Sequence, residues 1–169
     1  MISLLVAYTK NKRVIGAQGK IPWKLSSERN RFKQICAGKY VIMGRKSYEE
    51  IGKPLPYCKL VIVSSKTQNL EDAINYCKSP GQEEILIAGG GTIYEQTLPY
   101  ANKIYATEID ADFNGDTFFP ELGPEWVGTV EEVHEENGIV YRYITFSRDG
   151  PSTGSGTETS PIWTADLSK

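Results

Sequence analysis

The sequence predicts a single α/β domain built on a wound, mostly parallel β-sheet flanked by helices and finished by a C-terminal antiparallel hairpin. Three observations carry this. Short apolar runs at residues 2–8, 40–43, 60–63, 85–88 and 104–109 are mostly continuous rather than alternating, the pattern of strands buried on both faces. Segments with helix signals lie between most of them. Near the C-terminus the runs 129–134 and 139–146 flank Glu135-Glu136-Asn137-Gly138, and Asn-Gly is a strong signal for a two-residue hairpin turn.

Each helix has its punctuation. Ser26 or Ser27 can cap a helix that runs to about Ala37, where Gly38 ends it. A short helix over 47–51 is stopped by Gly52 and Pro54, and others cover 70–77 and 92–98, the last closed by Pro99. The chain of 169 residues suits one domain, assigned to residues 1–149. Residues 150–169 are rich in Gly, Ser, Thr and Pro and read as a flexible tail or a vector-derived remnant, with Ile162 and Trp163 as an apolar island.

Composition narrows the function. No stretch approaches the ~18 uncharged apolar residues of a membrane span, and no signal-peptide profile opens the chain. Cys36, Cys58 and Cys77 cannot all pair and form no Cys-x-x-Cys, so free thiols in a reducing cytoplasm are expected. A lone histidine, His134, excludes schemes needing two and argues against a histidine-rich zinc site; no metal is expected. Residues 1–60 hold 13 Lys and Arg against 3 Asp and Glu, whereas residues 61–169 hold 6 against 18. A basic first third can attract an anionic ligand, although on charge alone mutual neutralisation of the two halves on a mixed surface is the favoured reading. A pI near 5.5 without a basic helical stripe argues against nucleic acid.

Three strand ends carry phosphate-compatible chemistry. Gly89-Gly90-Gly91 lies between a strand and a helix, where glycine permits close backbone approach and the helix start offers unpaired N–H groups. It also fits a tight structural turn, and it matches neither the dinucleotide fingerprint nor a Walker loop. Gly44-Arg45-Lys46-Ser47 has the same setting with two cations and a candidate cap. Ser64-Ser65-Lys66 follows the run 60–63. Three such loops at the carboxyl ends of strands point to a phosphate-rich dinucleotide. Separately, Ile21-Pro22-Trp23 precedes Glu28, and Phe32 lies one helical turn beyond it. A carboxylate beside Trp and Phe can be a buried acid suited to an amidine-like edge or to proton transfer; a solvent-facing residue in a charged helix is the plainer alternative.

Taken in order, these pieces resemble dihydrofolate reductase of the bacterial chromosomal type. The matching residues are the opening Ile2-Ser3-Leu4 strand with Ala7, Val14-Ile15-Gly16 as a turn, Ile21-Pro22-Trp23, Glu28 with Phe32, and Val41-Ile42-Met43-Gly44-Arg45-Lys46-Ser47. They continue through Ile51-Gly52-Lys53-Pro54-Leu55-Pro56, Ser64-Ser65, Gly89-Gly90-Gly91-Thr92-Ile93-Tyr94, Thr107, and Gly115-Asp116-Thr117-Phe118-Phe119-Pro120. The likeness spans residues 1 to about 148.

The resemblance implies NADPH-dependent reduction of 7,8-dihydrofolate to tetrahydrofolate in support of one-carbon metabolism and thymidylate synthesis, by a cytoplasmic monomer that also binds trimethoprim- or methotrexate-like antifolates. It makes Glu28 the pterin-site carboxylate, held by Thr107 partly through water, with Trp23 and Tyr94 as further catalytic-site residues. Leu5, Val6, Ala7, Ile21, Arg29, Phe32, Ile51, Leu55 and Lys59 would line the substrate. Residues 17–24 resemble a mobile loop over the nicotinamide, braced by Asp116. The cofactor would lie against Ala7, Ile15, Gly16, Gly19, Gly44, Arg45, Lys46, Ser47, Ser64, Ser65, Lys66, Ala88, Gly89, Gly90, Gly91, Thr92, Ile93 and Tyr94, with a cis peptide at Gly89-Gly90. The cations and hydroxyls at Arg45, Lys46, Ser65 and Lys66 are the reason to expect NADPH rather than NADH.

One position departs from the family pattern. Where the family has an arginine that forks onto the folate α-carboxylate, this chain has Cys58, which cannot make a bidentate charged pair. Lys59 or Arg29 is the candidate substitute. This departure keeps open a reductase of another pterin or of a ribosylated pyrimidine on the same fold, and a non-catalytic cofactor-fold protein is the remaining alternative.

Overall fold

The first apolar run becomes strand β1 (Ile2–Thr9), which lies at the middle of the molecule with nearly every side chain buried. The computed structural model describes residues 1–17, 21–52, 55–64, 70–78 and 84–148. The expected tail, together with Gly19, Ser65 and Lys66 of the expected cofactor site, lies outside the described residues.

After β1 come β2 (Val14–Gly16), α1 (Ser26–Cys36), β3 (Tyr40–Gly44), α2 (Arg45–Ile51), β4 (Lys59–Val63), α3 (Leu70–Cys77), β5 (Ile85–Ile87) and α4 (Gly91–Thr97), which runs into a 3-10 turn over Leu98–Tyr100. The chain then forms β6 (Lys103–Asp110), β7 (Thr117–Phe118), β8 (Val127–Glu136) and β9 (Ile139–Ser147). The main sheet has the order β4-β3-β5-β1-β6-β9-β8, and β2 pairs with β7 in a second, two-stranded sheet. β1, β3, β4, β5 and β6 are parallel, so their carboxyl ends share one edge of the sheet. β6–β9 and β8–β9 are antiparallel.

The fold class, the five apolar strands and the closing hairpin agree with the sequence reading. Asn137 and Gly138 both take positive φ, 53° and 80°, as the tight hairpin turn demands. α3 buries Leu70, Ala73, Ile74 and Cys77, the i, i+3, i+4, i+7 stripe of an amphipathic helix.

Three local expectations are corrected. Residues 14–16 form a strand rather than a turn, because Phe118 and Thr117 offer an antiparallel partner distant in sequence. α2 starts at Arg45 with Gly44 as its N-cap, so Ser47 lies inside the helix and caps nothing. α1 is preceded by Leu25 at the N-cap, with no side-chain cap from Ser26 or Ser27. Its exposed N–H groups are satisfied from elsewhere. One carboxylate oxygen of Glu136, at the end of β8, accepts from Ser26 N (2.8 Å) and Ser26 Oγ (2.9 Å). The other accepts from Ser27 N (3.3 Å) and Ser27 Oγ (3.0 Å). A carboxylate at a helix N-terminus also meets the positive end of the helix dipole. Sequence distance of over a hundred residues hid this cap.

The bonds from Ser26, backbone and hydroxyl, and then those from Ser27, hold the Glu136 carboxyl down at about 2. A depressed folded value contributes stability above the ordinary carboxylate pKa and loses it as pH falls through the folded one. Glu136→Ala is therefore expected to lower the melting temperature at pH 7, with the gap from wild type closing between about pH 4.5 and pH 2. Glu135→Ala, at the adjacent exposed position, should stay within about 1 °C of wild type in the same thermal melts.

Candidate active site

Glu28 stands in the first turn of α1, above the sheet edge where the parallel strands end. Below it, Thr107 of β6 is 1% exposed and pairs in register with Ala7 of β1. Thr107 Oγ1 donates to Glu28 Oε2 at 2.6 Å. The contact is direct. Burial pushes the Glu28 carboxyl up to about 7, against the opposing pull of the Thr107 hydrogen bond and of the Arg31 charge. The carboxyl group therefore titrates near neutrality. Its second oxygen, Oε1, accepts no hydrogen bond among the described residues and can serve an incoming donor.

Apolar walls surround this acid. Leu5 is buried, and Phe32, Tyr57, Cys58 and Ala88 pack against the cluster to which it belongs. Trp23 is 6% exposed and packs with Leu25, Ile109, Tyr141 and Tyr143, its ring centroid 5.9 Å from that of Phe113; Ala7 borders the same cluster. Val6 and Leu55 are buried and Ile51 is half-buried. Ile21 is exposed at the rim, and its N–H donates to the Glu50 carboxylate, tying the 21–25 segment to α2. Tyr94 lies across the base of the cleft with its hydroxyl donating to the Leu5 carbonyl at 2.6 Å. Burial raises the Tyr94 phenol well above its usual range, so it remains neutral and locks α4 to β1.

Beside the acid, two helix starts converge. Gly44 N donates to the Gly89 carbonyl at 2.9 Å, and the Gly89–Gly90 peptide is cis. A Cβ on Gly90 would lie 3.1 Å from Ser47 Oγ, one on Gly44 3.0 Å from the end of Ile93, and one on Gly91 2.8 Å from Thr117. The glycines thus bring bare backbone, the Ser47 hydroxyl and both helix N-termini together in a space that side chains would close. Arg45 and Lys46 are exposed at the start of α2, Thr92 is exposed in α4, Ile15 and Gly16 border the cradle from β2, and Ser64 follows β4. This bare, cationic cradle fits the pyrophosphate and phosphate groups of a dinucleotide.

A brace holds the far rim. Asp116 N donates to the Gly16 carbonyl at 3.0 Å. Arg13 donates to the Pro120 carbonyl (2.7 Å from Nη2), and its guanidinium lies 4.5 Å above the Tyr8 ring. Tyr8 is itself stacked on Phe119.

The structure brings together Leu5, Ala7, Glu28, Phe32, Tyr94 and Thr107, but not Lys59. Lys59 is exposed and its ammonium lies 5.0 Å above the Tyr40 ring. Arg29 is exposed on α1. A cation that sequence reading did not assign to the site is Lys33, whose ammonium is 5.9 Å from the centre of the Tyr57 ring. Arg31 was missed as well; its guanidinium sits 4.0 Å over Tyr143. Helical spacing from Glu28 was the available signal for Arg31, three residues on. The Cys58 thiol points to the Leu55 carbonyl at 3.8 Å, and burial pushes its pKa up.

The family profile described as dihydrofolate reductase matches residues 1–148. The chain is 37% identical to the dihydrofolate reductase of Haemophilus influenzae over 159 residues, covering 86% of this chain and 98% of that protein. It is 34% identical to that of Bacillus subtilis over 170 residues (92% and 99%) and 44% identical to that of Buchnera aphidicola over 135 residues (74% and 83%). A family match that spans every strand of the sheet, joined to a buried acid and a glycine cradle at the sheet's carboxyl edge, places this chain in the dihydrofolate reductase family.

Proposed function

We infer that the protein reduces 7,8-dihydrofolate to 5,6,7,8-tetrahydrofolate with NADPH as reductant. The observation that carries this reading is the Glu28 carboxyl, fixed by Thr107 with one oxygen left open between apolar walls. An ionised Glu28 accepts from the 2-amino group and N3 of a pterin, two donors that match a carboxylate's two acceptors. The ring lies between β1, at Leu5, Val6 and Ala7, and the Phe32 side of α1, with Ile51 and Leu55 toward the aminobenzoyl group. Glu28 grips one edge of the ring, so the proton for N5 comes from water, and Glu28 acts by polarising the ring. The resemblance makes residues 17–24 a loop whose closure would exclude bulk water; residues 18–20 lie outside the described residues, and beside them Trp23 is buried and Asp116 N donates to the Gly16 carbonyl.

Gly44, Ser47, Gly89, Gly90, Gly91 and Ile93 would hold the cofactor's pyrophosphate, with Ile15, Ala88 and Tyr94 toward the nicotinamide. Arg45 and Lys46 would meet the 2′-phosphate, which supports NADPH over NADH. When bound, the cofactor supplies the hydride that reaches C6. Antifolates of the diaminopyrimidine or diaminopteridine type present the same donor pair to Glu28. We infer a monomer, and the free thiols of Cys36, Cys58 and Cys77 support a reducing, cytoplasmic setting.

Cys58 favours weakened recognition of the glutamate tail. Its thiol is turned to Leu55 and Lys59 to Tyr40, which leaves Lys33, over the neighbouring Tyr57 ring, as the candidate cation. A point charge replaces the planar fork that would grip a carboxylate.

Four outcomes follow. Glu28→Gln should lower kcat/KM for dihydrofolate roughly 100-fold or more, read as NADPH oxidation at 340 nm. The same change should stabilise the free protein. A carboxyl whose folded pKa is raised from its ordinary value to about 7 costs stability as pH rises between those values. The gain should reach on the order of 1–3 kcal/mol at pH 8 and vanish below about pH 4.5 in denaturant melts. Arg45→Ala with Lys46→Ala should raise KM for NADPH about tenfold or more while leaving KM for NADH nearly unchanged. Cys58→Arg should lower KM for dihydrofolate about tenfold and leave a tail-less dihydropterin unaffected; equal values for both substrates would reject the tail assignment.

A further inference from the structure

Arg31 has no place in the site as assembled above, yet it is held with unusual care for a helix-surface cation. It follows Glu28 by three residues on α1, so the two side chains leave the same face of the helix. Glu28 is bound to Thr107 of β6, and Arg31 lies 4.0 Å over the ring of Tyr143 of β9. Thr107 and Tyr143 are directly paired in the β6–β9 register. Directly opposed residues of an antiparallel pair project to one face with Cβ atoms ~5 Å apart. The carboxylate and the guanidinium therefore rest side by side on two adjacent strands, each pinned to its own.

The pair stops short of a contact ion pair: Glu28 makes none among the described residues, and the buried Arg31 Nε has no acceptor there. A buried, unpaired guanidinium N–H is costly unless a nearby negative charge or a ring face compensates it. Here both are present. A freely swinging arginine would close on the carboxylate and occupy the oxygen a substrate needs. One stacked on Tyr143 supplies its charge without doing so.

We propose that Arg31 is a positioning residue for Glu28, clamped by Tyr143 so that it holds a positive charge beside the carboxylate while leaving Oε1 open to the substrate. The groups facing Glu28 are Arg31 on its own helix, Thr107 on β6, Tyr143 on β9 and Tyr94 on α4. Both phenols have raised pKa values and remain neutral, so Arg31 is the cation among them. Burial opposes ionisation of Glu28, and the Arg31 charge, with the Thr107 hydrogen bond, counters it. This role rests on Glu28 being the substrate-binding acid, but the charge coupling itself can be read without substrate.

The test uses Arg31→Met, which keeps length and removes charge, and Arg31→Lys, which keeps charge and loses the planar stack. The Glu28 carboxyl carbon is followed by NMR through a pH titration of the free protein, assigned by its absence in Glu28→Gln. Arg31→Met is expected to raise the Glu28 midpoint by about half a pH unit or more, with a smaller rise in Arg31→Lys. In turnover of dihydrofolate, Arg31→Met should lose more kcat/KM at pH 6 than at pH 9, where the carboxylate is ionised in both proteins. A midpoint unmoved in Arg31→Met overturns the proposal, as does a loss of kcat/KM that is uniform in pH, since a merely structural role would give that result. Absence of dihydrofolate turnover in the wild type would instead overturn the functional reading, and the NMR arm would still decide the coupling.

Discussion

The contact between Glu28 and Thr107 is the constraint around which the cleft is arranged. It joins the first turn of a helix to the middle of a buried strand, and it places an acid where water is scarce. For that contact to form, α1 must sit over the β1–β6 pair at one height and one rotation. Glu136 secures the height by holding the N–H groups of Ser26 and Ser27 from the end of the hairpin. Phe32, packed edge-on to Tyr57, contributes to the rotation one turn further along. The helix is thus positioned by residues before, beside and a hundred positions after it. Its own sequence, rich in charge and poor in apolar residues, would not hold it there.

The position of that acid sets stability against function. A carboxyl whose pKa is raised by burial is a cost to the fold at neutral pH, and a well-packed neutral side chain would stabilise the same place. The open acceptor edge exists only because this cost is borne. The rest of the domain offsets it with a sheet whose central strands are almost fully buried. At the opposite end of the sheet, Glu84 shows the contrast. It too is enclosed by protein, but Lys39, Ser3 and Tyr105 all donate to it and its pKa is lowered. One carboxylate is saturated with donors; the other keeps an oxygen that accepts no hydrogen bond among the described residues.

Much of this was legible in the sequence because it depends on local pattern. Continuous apolar runs marked the parallel strands, Asn137-Gly138 marked the hairpin, and the order of motifs carried the family. What sequence reading missed depends on partners brought together by the fold. Strand β2 exists because residues 117–118 reach it. The cap of α1 comes from Glu136 rather than from the serines that occupy the first turn. Lys59 was the nearest cation in sequence to Cys58, but strand geometry turns it to Tyr40, and Lys33 from another element takes the place beside Tyr57. Side-chain direction on a strand or helix decides such assignments, and linear adjacency does not.

The basic first third of the chain illustrates the same limit from another side. Its excess of positive charge can attract an anionic ligand, and Arg45 and Lys46 stand exposed at the start of α2. Several of the remaining cations are committed elsewhere. Arg13 clamps the 119–120 carbonyls over Tyr8, Lys39 neutralises Glu84, and Lys59 lies on Tyr40. Arg31 faces the acid site and Lys33 its outer wall. A summed charge therefore overstates the field offered to a phosphate and understates the number of distinct electrostatic jobs. What separates these cations is the surface each one rests on: aromatic rings fix Arg13, Arg31 and Lys59 in place, whereas Arg45 and Lys46 stand exposed at a helix start. A ring face lets a guanidinium stay close to a carboxylate without seizing it. That permits one short helix, α1, to carry the Glu28 acid and a nearby positive charge together.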